Sequence, residues 1–169
     1  MLASTQRRGL LTPANLRLLA LLVPVGLLGG AMGSQYIGGL APCEMCYWQR
    51  WPHAAAILLA LLAFSAPAHM PRARLFTLLA ALAIAISGLI GVYHVGVELD
   101  LYEGVTSCAA GSGATSIEDI MAEINGAPLV RCDEVQWSFL GISMAGWNAL
   151  ISLGTALVIA LGLGKKCRR

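Results

Sequence analysis

Long apolar runs separated by short polar ones dominate the chain. Four runs stand out, at 16–36, 51–66, 75–97 and 142–163. A helix needs about 20 mainly apolar residues to cross the hydrocarbon layer of a bilayer, within a range of about 17–25. The first, third and fourth runs meet that length. The second, bounded by Arg50 and Pro67, is short and spans only with help from its flanks or by local thinning of the bilayer. The pattern predicts an all-α membrane protein: one domain over 1–169, folded as a four-helix transmembrane bundle with up-and-down connectivity. A short loop at about 37–49 joins the first two runs. A hairpin at about 65–74, with the helix stoppers Pro67 and Pro71, joins the next two, and a long loop at about 98–141 precedes the last.

The long loop carries a signal of its own. Thr115 with Glu118, and Ser116 with Asp119, form overlapping capping-box patterns. Ile117, Ile120, Met121 and Ile124 follow at helical spacing, and Asn125-Gly126 closes the segment. This predicts a short amphipathic helix that either lies on the membrane surface or caps the bundle. The glycine patches Gly29-Gly30 with Gly33, and Gly38-Gly39, are expected to let helices approach closely.

Composition agrees with a membrane protein that has little soluble mass. The chain is 57% hydrophobic and 12% charged, against about 25% charged residues in a soluble domain. No nucleic-acid partner is expected. Arg7, Arg8 and Arg17 before the first run could belong to a signal peptide, but the run is long for one and more spans follow. It is read as an uncleaved anchor.

Charge sets the orientation. Every acidic residue lies in the short first loop (Glu44) or the long third one, from Glu98 to Glu134. Apart from Arg50 and Arg131, the basic residues lie in the N-terminal tail, the hairpin (Arg72, Arg74) and the C-terminal tail. The positive-inside rule then puts both termini and the hairpin in the cytoplasm, and the first and third loops on the far side. Cys43, Cys46, Cys108 and Cys132 fall on that disulfide-permissive side. Cys167 falls in the cytoplasmic basic tail and is read as a bystander.

The candidate chemistry is sulfur chemistry. Cys43-Glu44-Met45-Cys46 is a C-x-x-C pair just before or within the first turn of the second span. Such neighbours swap between dithiol and disulfide with little backbone movement, and a helix N-terminus stabilises thiolate. The alternative is half of a zinc site completed by the two distant cysteines. Arg50 stands one turn after Cys46 on the same face. It could stabilise a thiolate or a reduced organic anion beside it, or snorkel to head groups. His94, near the outer end of the third span, falls at a similar membrane depth, where a quinone head group would sit. It could hydrogen-bond a carbonyl oxygen or pass a proton, or simply anchor the interface and pair with Glu98. His53 could as easily cap or pack. Cys108, among small residues, and Cys132 flank the predicted loop helix. They suit thiol exchange with an outside protein and with the C-x-x-C pair, or a static bridge. The aromatic residues Tyr47, Trp48, Trp51, Tyr93, Tyr102, Trp137 and Trp147 gather at the outer face as an interfacial belt.

These residues resemble the DsbB family of bacterial disulfide bond formation proteins. Three motifs carry the likeness: Pro42-Cys43-Glu44-Met45-Cys46-Tyr47-Trp48-Gln49-Arg50, then Tyr93-His94 with Gly96, Val97 and Glu98, and Cys132 followed by Gln136-Trp137-Ser138-Phe139-Leu140-Gly141. The resemblance implies a thiol:quinone oxidoreductase of the inner membrane that reoxidises a periplasmic, thioredoxin-fold DsbA-like partner. Cys43 and Cys46 would be the quinone-coupled pair, with Cys46 next to ubiquinone or menaquinone. Cys108 and Cys132 would face the partner, Cys108 forming the mixed disulfide. Arg50 and His94 would support the quinone, and Cys43 and Cys132 would bridge the loops transiently. A DsbI-like paralogue with another thiol partner, a zinc-binding membrane protein and a vitamin-K-epoxide-reductase-like enzyme are the competing readings.

Overall fold

The computed structural model describes residues 12–101 and 130–165. Their architecture is four long helices and one small hairpin: α1 (Pro13–Tyr36), α2 (Glu44–Phe64), α3 (Pro71–Glu98), β1 (Ser138–Phe139), β2 (Ile142–Ser143) and α4 (Met144–Lys165). The amphipathic segment predicted at 115–125, Cys108, Tyr102 and Cys167 lie outside the described residues.

The helix starts follow from local chemistry. Thr12 accepts a hydrogen bond from the Asn15 N–H at 3.2 Å, and Pro13 opens α1 at a position that needs no donor. Pro71 opens α3 in the same way. Cys43 is the N-cap of α2 through its own sulfur, and Ser143 caps α4 by accepting from the Gly146 N–H at 3.1 Å. At the other end of α2, Arg17 Nη1 donates to the carbonyls of Ala63 (2.9 Å) and Ala66 (2.8 Å), and its guanidinium lies over the Phe64 ring. One arginine thus closes the α1–α2 pair where the last carbonyls of a helix lack partners.

Two boundaries depart from the apolar pattern. The second helix begins at Glu44, not at 51, because Gln49 and Arg50 turn their polar groups into the protein instead of ending the helix. Residues Ile142 and Ser143, counted above with the last span, form β2 instead. They pair with β1 in the register Ser138↔Ser143 and Phe139↔Ile142. The two-residue connection, Leu140-Gly141, has φ of 53° and 77°, the positive pair that a type I′ turn demands. The hairpin is pinned to α4 by Trp147 Nε1, which donates to the Phe139 carbonyl at 3.1 Å.

The packing inverts the rule for water-soluble proteins. Inside are small residues: Ala20, Ala56, Ala60, Ala80 and Ala145 among others. Outside are large apolar ones, with Leu58, Leu82, Leu89, Leu157 and Leu161 each more than half exposed. That suits lipid, where close backbone approach rather than exclusion of water holds helices together. At Gly91 an added Cβ would stand 3.0 Å from the Ala145 carbonyl oxygen, so the α3 and α4 backbones touch there. Of the glycines expected to do this, Gly29, Gly30, Gly33 and Gly39 do not, since a Cβ there would meet nothing within 4 Å, and Gly38 lies against the Ser34 carbonyl of the preceding helix, at 2.6 Å from an added Cβ. By length and composition α1, α3 and α4 can each cross a membrane.

Three apolar clusters mark the length of the molecule. Leu16, Ala20, Ala60, Ala80, Ala81, Ile159 and Leu163 join all four helices at one end. Ala56, Ala83 and Ile84 follow between α2 and α3. Cys43, Met45, Val97 and Cys132 close the other end. Polar side chains fill the level between the last two.

Candidate active site

Capping by a thiol builds the centre of the site. The Cys43 sulfur accepts the Cys46 N–H at 3.3 Å, which holds the two sulfurs 2.9 Å apart, with the Cys43 thiol donating to Cys46. That hydrogen bond and burial together push the Cys43 thiol far above the ordinary range. The Cys46 sulfur stands in the first turn of α2 with Arg50 one turn on, a setting that favours charge on it. His94 comes from the far end of α3, with Nε2 3.6 Å from Cys43 Sγ and 3.9 Å from a Glu98 oxygen. The pairing of His94 with Glu98 and its place beside the C-x-x-C pair therefore coexist. Cys132 is fully buried and packs in one cluster with Cys43 and Met45, against Cys46 and Tyr93.

Arg50 does not reach for solvent. Nη1 donates to Gln35 Oε1 and Nη2 to the Ala31 carbonyl at 3.2 Å, and the guanidinium lies 4.9 Å from the Tyr47 ring centroid. The last turns of α1 thus hold the arginine one turn below Cys46.

A buried hydrogen-bond network orients the rest. Gln49 Nε2 donates to the Met45 carbonyl (3.3 Å) and to His94 Nδ1 (2.9 Å). Gln49 Oε1 accepts from Asn148 Nδ2 at 2.7 Å, and the same nitrogen donates to the Ser87 carbonyl at 3.3 Å. Asn148 Oδ1 then accepts from His53 Nε2 (2.8 Å) and from the Ser152 hydroxyl (3.0 Å). Two backbone carbonyls, which can only accept, fix the direction of the whole chain. It follows that His94 carries its proton on Nε2, which lies near the Cys43 sulfur while the ring also hydrogen-bonds the Cys132 backbone, and that His53 carries its own on Nε2, aimed at Asn148.

Cys43, Gln49 and His94 help to line one cavity of about 810 Å³, within the range of about 300–1,000 Å³ usual for small-molecule sites. Gly26, Gly30 and Ala31 form its wall on α1, where the absence of Cβ neighbours at the glycines leaves the space open. Cys46, Arg50 and His53 line it from α2, and Trp147 and Asn148 from α4. Such a cavity, apolar with a few converging polar groups, fits a flat aromatic head group with an apolar tail. The donor atoms of Cys43, Cys46 and His94 also lie within 4.8 Å of one another, three ligands of the kind that zinc takes.

The family of disulfide bond formation protein DsbB matches residues 13–162, which includes every residue of this cluster. The chain belongs to the DsbB family. It is similar to disulfide bond formation protein B of Xanthomonas oryzae pv. oryzae, 32% identical over 161 residues that cover 90% of each chain. The protein of that name from Chromohalobacter salexigens is 32% identical over 155 residues, 86% of this chain and 87% of its own. That of Marinobacter nauticus is 31% identical over 162 residues, 89% and 90%. No solved structure matches.

For a DsbB-family chain, four of the six residues singled out by sequence fall at this centre: Cys43, Cys46 and His94, with Cys132 packed against them. Arg50 stands one turn away, and Cys108 lies outside the described residues. Sequence reasoning missed Gln35, Gln49, Ser87 and Asn148. Part of the signal was present, since Cys46, Gln49, Arg50 and His53 recur at i, i+3, i+4 and i+7 in an otherwise apolar helix. Replacing Gln49 by Leu removes the partners of His94 Nδ1 and of Asn148 Nδ2 toward Gln49. A loss of about 1–3 kcal/mol is expected, read as a lower melting temperature in detergent. An unchanged melting temperature would show the network to be dispensable.

Proposed function

We propose that the protein is a thiol:quinone oxidoreductase of the bacterial inner membrane. It reoxidises a periplasmic DsbA-like dithiol protein and passes the electrons to ubiquinone or menaquinone. The observation that carries this reading is a dithiol, Cys43 with Cys46, whose charge-carrying sulfur opens on a large apolar cavity beside a fixed arginine. Family membership supports the disulfide chemistry. The cavity supports a membrane-soluble acceptor.

Within this reading α2 is the fourth span, both termini are cytoplasmic and the loops bearing Cys43, Cys46, Cys108 and Cys132 are periplasmic. The segregation of acidic and basic residues supports that orientation. Electrons enter at Cys108 and Cys132 and move to Cys43 and Cys46 by thiolate attack on disulfide sulfur. The burial of Cys132 against Cys43 supports direct transfer between the two pairs. His94, 3.6 Å from the Cys43 sulfur and hydrogen-bonded to the Cys132 backbone, holds the two cysteines of different loops in register for that exchange. Arg50 supplies fixed positive charge beside Cys46. A bound quinone supplies the two-electron, two-proton sink. Because 30 mV is worth about 1.4 kcal/mol for two electrons, a sufficiently oxidising acceptor pulls the sequence forward even through one uphill step.

The test is the purified protein in detergent with a reduced DsbA-like protein and decylubiquinone. Loss of quinone absorbance should match disulfide gained by the partner, one for one. A protein that consumes neither, or that binds stoichiometric zinc through its thiols, would refute the reading. Arg50→Ala is expected to raise the KM for quinone about tenfold, the effect of losing one charge-assisted contact. An unchanged KM would reduce Arg50 to a tie between α1 and α2.

A further inference from the structure

The cavity wall includes a nearly buried carboxyl group that pairs with no arginine or lysine among the described residues. Glu98 ends α3, and its side chain is 8% exposed. The Ser143 hydroxyl, which accepts the Gly146 N–H, is its hydrogen-bond partner. His94 Nε2 stands 3.9 Å from it. That ring is already committed to Gln49 and to the Cys132 backbone, and it is neutral. Two arginines line the same cavity. Arg131 is more than half exposed and pairs with Asp133 and Glu134. Arg50 is held by α1, and its charge, like that of Glu98, reaches Cys46. An apolar cavity tolerates a charge poorly unless an opposite one offsets it. The one fixed cation beside the sulfur therefore has two candidate anions, the Cys46 thiolate and the Glu98 carboxylate. Each raises the cost of the other.

Position lets a proton pass between them. His94 Nε2 lies 3.6 Å from Cys43 Sγ and 3.9 Å from Glu98 Oε1, so the carboxyl group is near enough to the C-x-x-C pair for a short water bridge. Cys46 and Glu98 both line the cavity. The other titratable and charged groups around it are His94 on α3, Cys43, Arg50 and His53 from the start and cavity face of α2, and Arg131 and Glu134 before β1. Cys132 packs behind Cys43. Among the described residues, α1 and α4 bring no charged side chain to the cavity.

We propose that Glu98 is the proton carrier of the site: it takes the proton of Cys46 as that sulfur ionises and hands it on to the reduced acceptor. The inference rests on the quinone reading above. Before the step the negative charge beside Arg50 is on Glu98 and Cys46 is a thiol. After it Glu98 is a neutral carboxylic acid and Cys46 a thiolate, so the cavity never holds two anions against one cation. The conversion balances. The dithiol of Cys43 and Cys46 gives up two electrons and two protons and closes to a disulfide. One proton leaves Cys46 by way of Glu98, the other leaves Cys43, and both end on the oxygens of the quinol. Glu98 is a carboxylate again for the next turnover.

The experiment compares the native chain with Glu98→Gln, which keeps the shape and a partner for Ser143 but cannot take a proton. In the reduced full chain in detergent, alkylation of Cys46 by iodoacetamide is followed across pH and located by mass spectrometry. Cys46 of the variant is expected to react at a pH lower by about one unit, because the opposing charge is gone. With a reduced DsbA-like protein and decylubiquinone, the same variant should lose about 100-fold in kcat, the low end of what positioned proton transfer contributes, at unchanged KM for quinone. A more readily ionised thiol would by itself speed turnover, so shifts in these opposite directions mark a proton carrier and not a structural part. Glu98→Asp, which keeps a carboxylate, should return both toward native. An alkylation profile or a kcat that Glu98→Gln leaves unmoved overturns the inference, as does a Glu98→Asp no faster than Glu98→Gln. Should Glu98→Gln not fold, Glu98→Thr serves as the chargeless variant under the same criteria. Native turnover stands in each of those failures. A native chain that reduces no quinone overturns the quinone reading itself, and the inference with it.

Discussion

Cys46→Ser is expected to reduce quinone consumption to the uncatalysed rate while leaving the fold intact. The hydroxyl of serine is about the same size as a thiol, but it neither ionises near neutral pH nor forms a disulfide. The Cys43 cap is untouched, because Cys43 accepts the N–H of residue 46, which serine also has. Cys43→Ser separates chemistry from structure in a complementary way. Serine is among the preferred N-caps, so α2 should start as before and the melting temperature should hold. Yet disulfide closure at this pair becomes impossible, and turnover should be lost equally. The measurement is quinone absorbance with a reduced DsbA-like partner, alongside thermal melting of each variant. Full turnover by either variant would remove the Cys43–Cys46 pair from the electron path. Loss of turnover with a collapsed melting temperature in both would show that the sulfurs serve the fold.

The contrast between these cysteines and the network below them shows how far a sequence can be read. Apolar runs of spanning length are one-dimensional, and α1, α3 and α4 lie where the runs are. A C-x-x-C pair is equally local, since its sulfurs meet through the first turn of one helix. The start of α2 was hidden because a hydropathy count stops at Gln49 and Arg50, whereas the helix continues through them and directs both inward. What their side chains touch depends on how α1 and α4 are rotated against α2. Nothing in the spacing of Gln35 or Asn148 reports that rotation. The glycines failed as a guide for the same reason. Gly29, Gly30 and Gly33 have the spacing of a packing motif, but it is Gly91 that meets a neighbouring backbone. Gly26 and Gly30 instead leave the cavity room.

The second large effect concerns entry of electrons, on which the burial of Cys132 bears. Cys132 has no exposed surface and packs against Cys43, Met45 and Val97. An incoming protein thiolate needs a straight approach to the sulfur it attacks, and the surroundings of Cys132 deny one. Its neighbour Cys43, by contrast, is in reach of it. This fits the proposal that Cys108 contacts the partner and Cys132 passes the electrons inward. Cys108→Ser is therefore expected to abolish oxidation of a DsbA-like protein. It should spare quinone reduction driven by a small dithiol such as dithiothreitol, which can reach the Cys43–Cys46 disulfide without the outer pair. The two activities are measured on one preparation, by thiol trapping of the partner and by quinone absorbance. If Cys108→Ser supports partner oxidation at the normal rate, electrons enter elsewhere. If it loses both activities together, the outer and inner pairs are not separate stations, and the two-step relay is wrong.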